Sequence, residues 1–222
     1  MRINADFSQR VVIRLEDYRW VGSPMPGVER MMLDRIGDEV ARATSLVRYA
    51  PNSTFAPHIH GGGEEFLVLE GAFGDEHRMY PTGTYVRNPI GTKHSPRVGE
   101  QGCVIFVKLH QFDKDDDTPV VIDTRDADWP LQCAPGVEAM LLHQFRRERV
   151  FLIRWAPNTP PTKHTHDGGE EVFVIEGSFS DEHGAYPVGT WVRYPDHSSH
   201  NAFTCDEGAL LYLKAGHLPA VR

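Results

Sequence analysis

Apolar residues in this chain fall in short runs. Val11-Val12-Ile13, Ser45-Leu46-Val47-Arg48-Tyr49, Phe66-Leu67-Val68-Leu69, Tyr85-Val86-Arg87 and Val104-Ile105-Phe106-Val107 are β-branched or aromatic, and Gly, Pro, Asn and Asp punctuate the gaps between them. Runs of this kind predict short strands. No long segment carries apolar positions at the 3.6-residue period of an amphipathic helix. Many short strands with turn residues between them predict an antiparallel sandwich or small barrel. Phe66–Leu69 is apolar at both parities, so one face of that strand lines an interior while the other packs against further chain.

The pattern occurs twice. Asp17-Tyr18-Arg19-Trp20 and Pro26-Gly27-Val28-Glu29 return as Asp126-Ala127-Asp128-Trp129 and Pro135-Gly136-Val137-Glu138, at an offset of 109. From Pro51 onward the offset is 106, so the second copy is three residues shorter near Arg35-Ile36-Gly37-Asp38. That Gly-Asp pair reads as a hairpin tip, where deletions are best tolerated. Glu70-Gly71-Ala72-Phe73-Gly74-Asp75-Glu76-His77 matches Glu176-Gly177-Ser178-Phe179-Ser180-Asp181-Glu182-His183, and the acidic stretch Asp113–Pro119 reads as a linker. Two domains follow, 1–113 and 114–222, in keeping with the length of the chain.

Each copy carries the same candidate chemistry. His58-Ile59-His60-Gly61-Gly62-Gly63-Glu64 is followed by His94, and His164-Thr165-His166-Asp167-Gly168-Gly169-Glu170 is followed by His200, every member displaced by 106. Three imidazoles and a carboxylate suit a divalent transition metal. On a strand, positions i and i+2 share a face, so His58 and His60 can point inward together. The glycines permit the turn that returns the chain as the next strand. Glu64 opens that strand at the parity of Phe66 and Val68, which favours it over Glu65 as the carboxylate donor, and Glu170 over Glu171 likewise. Glu65 and Glu171 are then exposed carboxylates or partners of the ligands.

These residues resemble a known family. Pro57-His58-x-His60-x3-Glu64-x6-Gly71 looks like the first cupin motif and Gly83-x5-Pro89-x-Gly91-x2-His94 like the second. Lys163-His164-x-His166-x3-Glu170-x6-Gly177 and Gly189-x5-Pro195-x-His197-x2-His200 repeat both. The resemblance implies an all-β bicupin, two tandem antiparallel jelly-roll barrels, each with a metal on three histidines and a glutamate. The finer texture resembles the cupin-like domain of ChrR-type anti-sigma factors, which implies zinc binding and sensing of oxidative stress. No His-x3-Cys-x2-Cys segment precedes the first barrel, so a sigma factor is not an expected partner of this chain alone. Bicupin dioxygenases acting on small aromatic or diketone substrates resemble the same ligand set, and there iron, manganese or nickel would replace zinc. The second copy departs from the motif at His197, which stands where the first has Gly91 and implies a differently shaped turn.

Charge and cysteines narrow the setting. Lys and Arg number 23 against 31 Asp and Glu, a net charge of −8 without a basic cluster, which argues against nucleic acid and anionic membrane surfaces. No apolar run approaches a signal peptide or a membrane span. Three cysteines (Cys103, Cys133 and Cys205), an odd number without a CxxC pair, suit a reducing compartment, so the expected location is cytoplasmic. Cys103 opens an apolar strand and is expected to be buried and inert. His77 and His183 belong to predicted hairpin tips. Arg48/Arg154, Tyr85/Trp191 and Arg87/Arg193 lie on strands near the ligands, either facing the pocket or forming sheet surface. A small-molecule ligand and a homodimer are the partners that such barrels and their sheet edges accommodate.

Overall fold

The structure is a computed structural model and describes residues 1–219. Its regular elements are antiparallel strands and one short 3-10 turn, Leu15–Asp17. No helix among the described residues is long and apolar enough to cross a membrane. The chain forms two compact units, Met1–Ala5 with Arg19–Ala127, and Asp6–Tyr18 with the chain from Asp128 onward.

Each unit is a jelly-roll barrel. In the first, the sheet runs Arg2–Ile3, Val28–Gly37, Ala41–Tyr49, Arg97–Leu109, Glu64–Gly74, Thr84–Asn88, Val120–Asp123, and a small second sheet pairs His58–Ile59 with Lys93–His94. In the second, the order is Leu131–Ala134, Val137–Phe145, Glu148–Trp155, Ala209–Ala215, Glu170–Asp181, Trp191–Tyr194, Val11–Ile13, and the small sheet pairs Thr162–Thr165 with Ser199–Ala202. Inward parity selects the cores. Phe66, Val68, Val86, Ile105 and Val107 fill the first barrel, and Val172, Val174, Val192 and Leu211 take the same places in the second. Each such side chain stabilises its barrel by about 1.5–3 kcal/mol when fully buried.

The length difference between the copies sits at the first hairpin. Val28–Gly37 and Ala41–Tyr49 are joined through Asp38-Glu39-Val40, whereas Val137–Phe145 and Glu148–Trp155 are joined through Arg146-Arg147 alone.

Two segments lie elsewhere than the sequence suggests. Val11–Ile13, read as a strand of the first barrel, pairs with Arg193–Trp191 of the second unit. Val120–Asp123, beyond the expected cut at 113/114, pairs with Arg87–Thr84 of the first. The segment leading into each repeat therefore completes the sheet of the other repeat's barrel. Its job is the same in both. Phe112 lies over the Arg87 guanidinium at 3.7 Å, and Phe7 over that of Arg193 at 4.5 Å, where Arg193 also donates to the Asp6 carbonyl at 2.9 Å. A sheet face bearing a buried arginine needs such a cover, because an uncompensated buried charge is costly.

Candidate metal centres

Local backbone chemistry brings the ligand candidates together. After His60 the chain turns through Gly63 at φ +77°, where a Cβ would stand 2.3 Å from the Phe112 ring. Gly169 does the same after His166 at φ +73°, its virtual Cβ 2.3 Å from Leu218. The His60 amide donates to the Thr92 carbonyl and the Gly91 amide to the His60 carbonyl, both at 2.9 Å, tying the first motif to the second. The same bonds recur from His166 to Ser198 and from His197 to His166, at 2.9 and 3.0 Å. His197 holds φ +59° where Gly91 holds +86°. The substitution keeps the left-handed turn rather than reshaping it, a conformation open to histidine.

In the first barrel His58, His60, Glu64 and His94 offer donor atoms that lie within 4.8 Å of one another. His94 Nε2 stands 3.2 Å from both His60 Nε2 and His58 Nε2, and Glu64 Oε2 stands 3.2 Å from His60 Nε2. Donors bound to one ion at about 2.0–2.2 Å lie roughly 3–3.5 Å apart, so the spacing fits. The Thr92 hydroxyl donates to the Pro89 carbonyl at 2.7 Å and therefore accepts from His60 Nδ1 at 2.9 Å. That bond fixes the proton on Nδ1 and leaves the Nε2 lone pair toward the centre. Burial raises the Glu64 carboxyl, but His60, His94 and the Asn88 amide outweigh it and bring it down to about 2. Burial lowers His94, partly offset by Glu64.

The second barrel repeats the set with His164, His166, Glu170 and His200. Here all three imidazoles are oriented. His164 Nδ1 meets the Thr162 carbonyl at 3.3 Å, His166 Nδ1 the Ser198 hydroxyl at 3.0 Å, and His200 Nδ1 the Asp181 carboxylate at 3.0 Å. Ser198 in turn donates to the Pro195 carbonyl at 2.6 Å. Three Nε2 lone pairs thus face one point, with His200 and His164 Nε2 at 2.9 Å and His166 Nε2 3.5 Å from Glu170. His166 Nε2 is buried without a hydrogen-bond partner among the described residues. Burial lowers His166 to about 3 and raises Glu170 to about 8.

A cavity of about 210 Å³ opens against this second centre. His164, Glu170 and His200 reach it, and its walls include Val172, Phe179, Leu211 and Leu213. Cys133 and Thr162, both exposed, also line it.

The remaining candidates lie away from the centres. Glu65 is neither exposed nor beside the ligands. It is buried and accepts from the Tyr85 hydroxyl at 2.8 Å and Arg87 at 2.6 Å. Arg87 also pairs with Asp116. Glu171 is buried with His217 at 3.4 Å. Arg87 and Arg193, read as pocket or surface, are instead fully buried on the outward sheet face. Arg48 and Arg154 are surface residues, each over a tryptophan (Trp20 and Trp129) and paired with Glu29 and Glu138. The backbone amides of His77 and His183 donate to Asp75 and Asp181 at 2.8 and 2.7 Å, closing hairpin tips. Sequence reasoning missed the hydroxyls of Thr92 and Ser198, although their shared offset of 106 was a readable signal. It also missed Asn88, Asp181 and the cavity, whose roles depend on side-chain packing.

The family profile described as ChrR Cupin-like domain matches residues 8–113 and again 117–219. The chain belongs to the ChrR cupin-like domain family. Comparison with curated proteins gives no significant sequence match. Solved structures share the bicupin fold at low identity. A candidate dioxygenase from Nostoc punctiforme superposes with TM-score 0.79 at 17% identity, covering 96% of this chain and 85% of that one. A bacterial pirin from Escherichia coli in complex with nickel(II) gives 0.66 at 14%, covering 96% and 100%. Oxalate decarboxylase from Bacillus subtilis gives 0.64 at 13%, covering 94% and 78%. All three show that the two barrels of this ChrR cupin-like chain form a cupin fold.

Proposed function

We propose that this chain holds one divalent transition-metal ion in each barrel and works as a metal-dependent sensing protein, its second centre receiving a small organic molecule. One observation carries the metal assignment: in the second barrel every imidazole Nδ1 is committed to an acceptor, so three Nε2 lone pairs and the Glu170 carboxyl converge. His58, His60, Glu64 and His94 would hold the other ion. A bound ion supplies Lewis acidity, and redox chemistry as well if it is iron or manganese. Zinc is the ion that the family resemblance favours. The chain's own residues fix the tautomers, hold the carboxylates and wall the second centre with apolar side chains. The sensing role rests on membership of the ChrR cupin-like family.

Elemental analysis of the reconstituted protein tests the reading. Two equivalents are expected, falling to one in His60→Ala and to one in His166→Ala. A stoichiometry of zero in the unmodified chain would overturn it. The cavity against the second centre favours a second reading, a dioxygenase acting on a small aromatic or diketone substrate. Oxygen uptake by iron-loaded protein with small phenols and diketones, abolished by His164→Ala, would move the assignment there.

A further inference from the structure

We propose that the second barrel takes a single-ring neutral organic molecule of the phenol class, with the ring on the apolar and aromatic walls and the oxygen toward the His164, Glu170 and His200 centre. The inference rests on the metal reading and names the ligand of that same site.

Four observations converge. The first is size. An apolar cavity of about 150 Å³ accepts benzene, and the space here is about 210 Å³, enough for a substituted single ring and too little for two fused ones with substituents. The second is lining. Val137, Ile153, Val172, Phe179, Leu211 and Leu213 present hydrocarbon, and among the described residues no lysine or arginine lines the cavity. A charged ligand body would be desolvated there without a counter-ion, so the body is neutral.

The third is Trp155. It lines the cavity together with Phe179, the two ring centroids 6.1 Å apart, so two aromatic rings wall the space. Aromatic rings pair favourably in offset or edge-to-face arrangements, which favours a ring as the occupant.

The fourth is the difference between the barrels. At the position of Val172 the first barrel has Phe66, edge-on to Phe73 at 5.2 Å. At the position of Pro161 it has Phe55, edge-on to Tyr49 at 5.5 Å. Phe66 fills interior that Val172 vacates, and half-buried Phe55 packs against the same core. Leu213 for Val107 and Trp155 for Tyr49 refill only part of that interior. The same repeat thus places a buried phenylalanine in one copy where the other has a valine beside a cavity, reached past exposed Cys133 and Thr162.

The test is phenol binding to the full metal-loaded chain, followed by saturation-transfer NMR and calorimetry, with metal content measured on each sample. Phenol should bind the unmodified protein, and Val172→Phe should weaken it at least tenfold while two metal equivalents remain. Leu213→Phe, which fills the cavity from another wall, should do the same if Val172→Phe fails to fold. Phe66→Val changes the first barrel alone and should leave phenol affinity at the second barrel's site unchanged, any added binding appearing as a second, separable site. Absence of phenol binding, or binding insensitive to both cavity-filling variants, would overturn the proposal. Metal content near zero with phenol binding that Val172→Phe still abolishes would retain the cavity's ligand and sink the metal reading instead.

Discussion

Asn88 and Tyr194 stand at equivalent places in the two barrels and serve different partners. The Asn88 amide donates to Glu64 Oε2 at 3.0 Å, whereas the Tyr194 hydroxyl donates to Asp181 Oδ2 at 3.0 Å. The first barrel thus steadies its carboxylate and the second its histidine, because Asp181 also accepts from His200. Asp75, the twin of Asp181, accepts from Tyr80 at 2.6 Å and makes no hydrogen bond to His94 among the described residues. The two copies keep one candidate ligand set and have exchanged its support.

Asn88→Ala should therefore lower metal affinity at the first centre alone. Partners that orient a metal ligand are worth about 10–100-fold in affinity, and one amide should sit near the lower end. Chelator competition with element-specific detection would resolve a tight and a weakened equivalent in this variant. Equal weakening of both would show that Asn88 acts on the whole fold.

Asp181→Asn should weaken the second centre by about 10–100-fold, since it removes the carboxylate that keeps the proton on His200 Nδ1. Asp75→Asn is the matched comparison. Both aspartates cap a hairpin and bind a tyrosine, so both variants should lose similar stability, and only Asp181→Asn should lose much metal affinity. Comparable affinity losses in the two barrels would mean that the hairpin, and not the His200 contact, governs the site.

The neighbouring glutamates separate ligand from scaffold. Glu64→Gln should empty the first centre while melting close to the parent. Glu65→Ala should do the reverse, because it strips a buried partner from Arg87, whose pairing with Asp116 remains. Breaking a buried ion pair costs about 3–5 kcal/mol, and the remaining Asp116 contact argues for the lower end. Thermal melts and metal counts on the two variants decide it, and metal loss in Glu65→Ala protein that is still folded would count against the assignment.

What the sequence made legible was local. His58 and His60 share a strand face and Glu64 shares the parity of Phe66, so period-two geometry and turn glycines suffice to group them. His94 followed from the repeat. The partner of Val11–Ile13 was not legible, because an apolar run states that a strand exists and not which sheet edge takes it. Arg87 and Arg193 looked like pocket or surface residues because their covers, Phe112 and Phe7, do not align with each other in the repeat. The cavity was hidden for a related reason: it depends on Phe66 becoming Val172, a change that leaves the hydrophobic pattern intact and alters only volume.

Cys103 supplies a pH dependence whose sign can be worked out. Burial, with a smaller contribution from Glu70, pushes its thiol from 9.0 up to about 12. The folded state holds the proton more tightly than the unfolded chain, so this contribution to stability is full below about pH 9 and is lost as pH rises toward 12. Cys103→Ala removes it, and the equivalent position in the second barrel is already Ala209, buried in the same kind of core. Melting temperatures taken from pH 8 to 11 should therefore fall less steeply in Cys103→Ala than in the parent. Thiol titration gives an independent check. Cys133 and Cys205 are exposed and Cys103 is buried, so two thiols should react at pH 8 in the native protein and the third only on unfolding. Rapid reaction of all three would show that the strand carrying Cys103 opens readily, and the pH argument would fail with it.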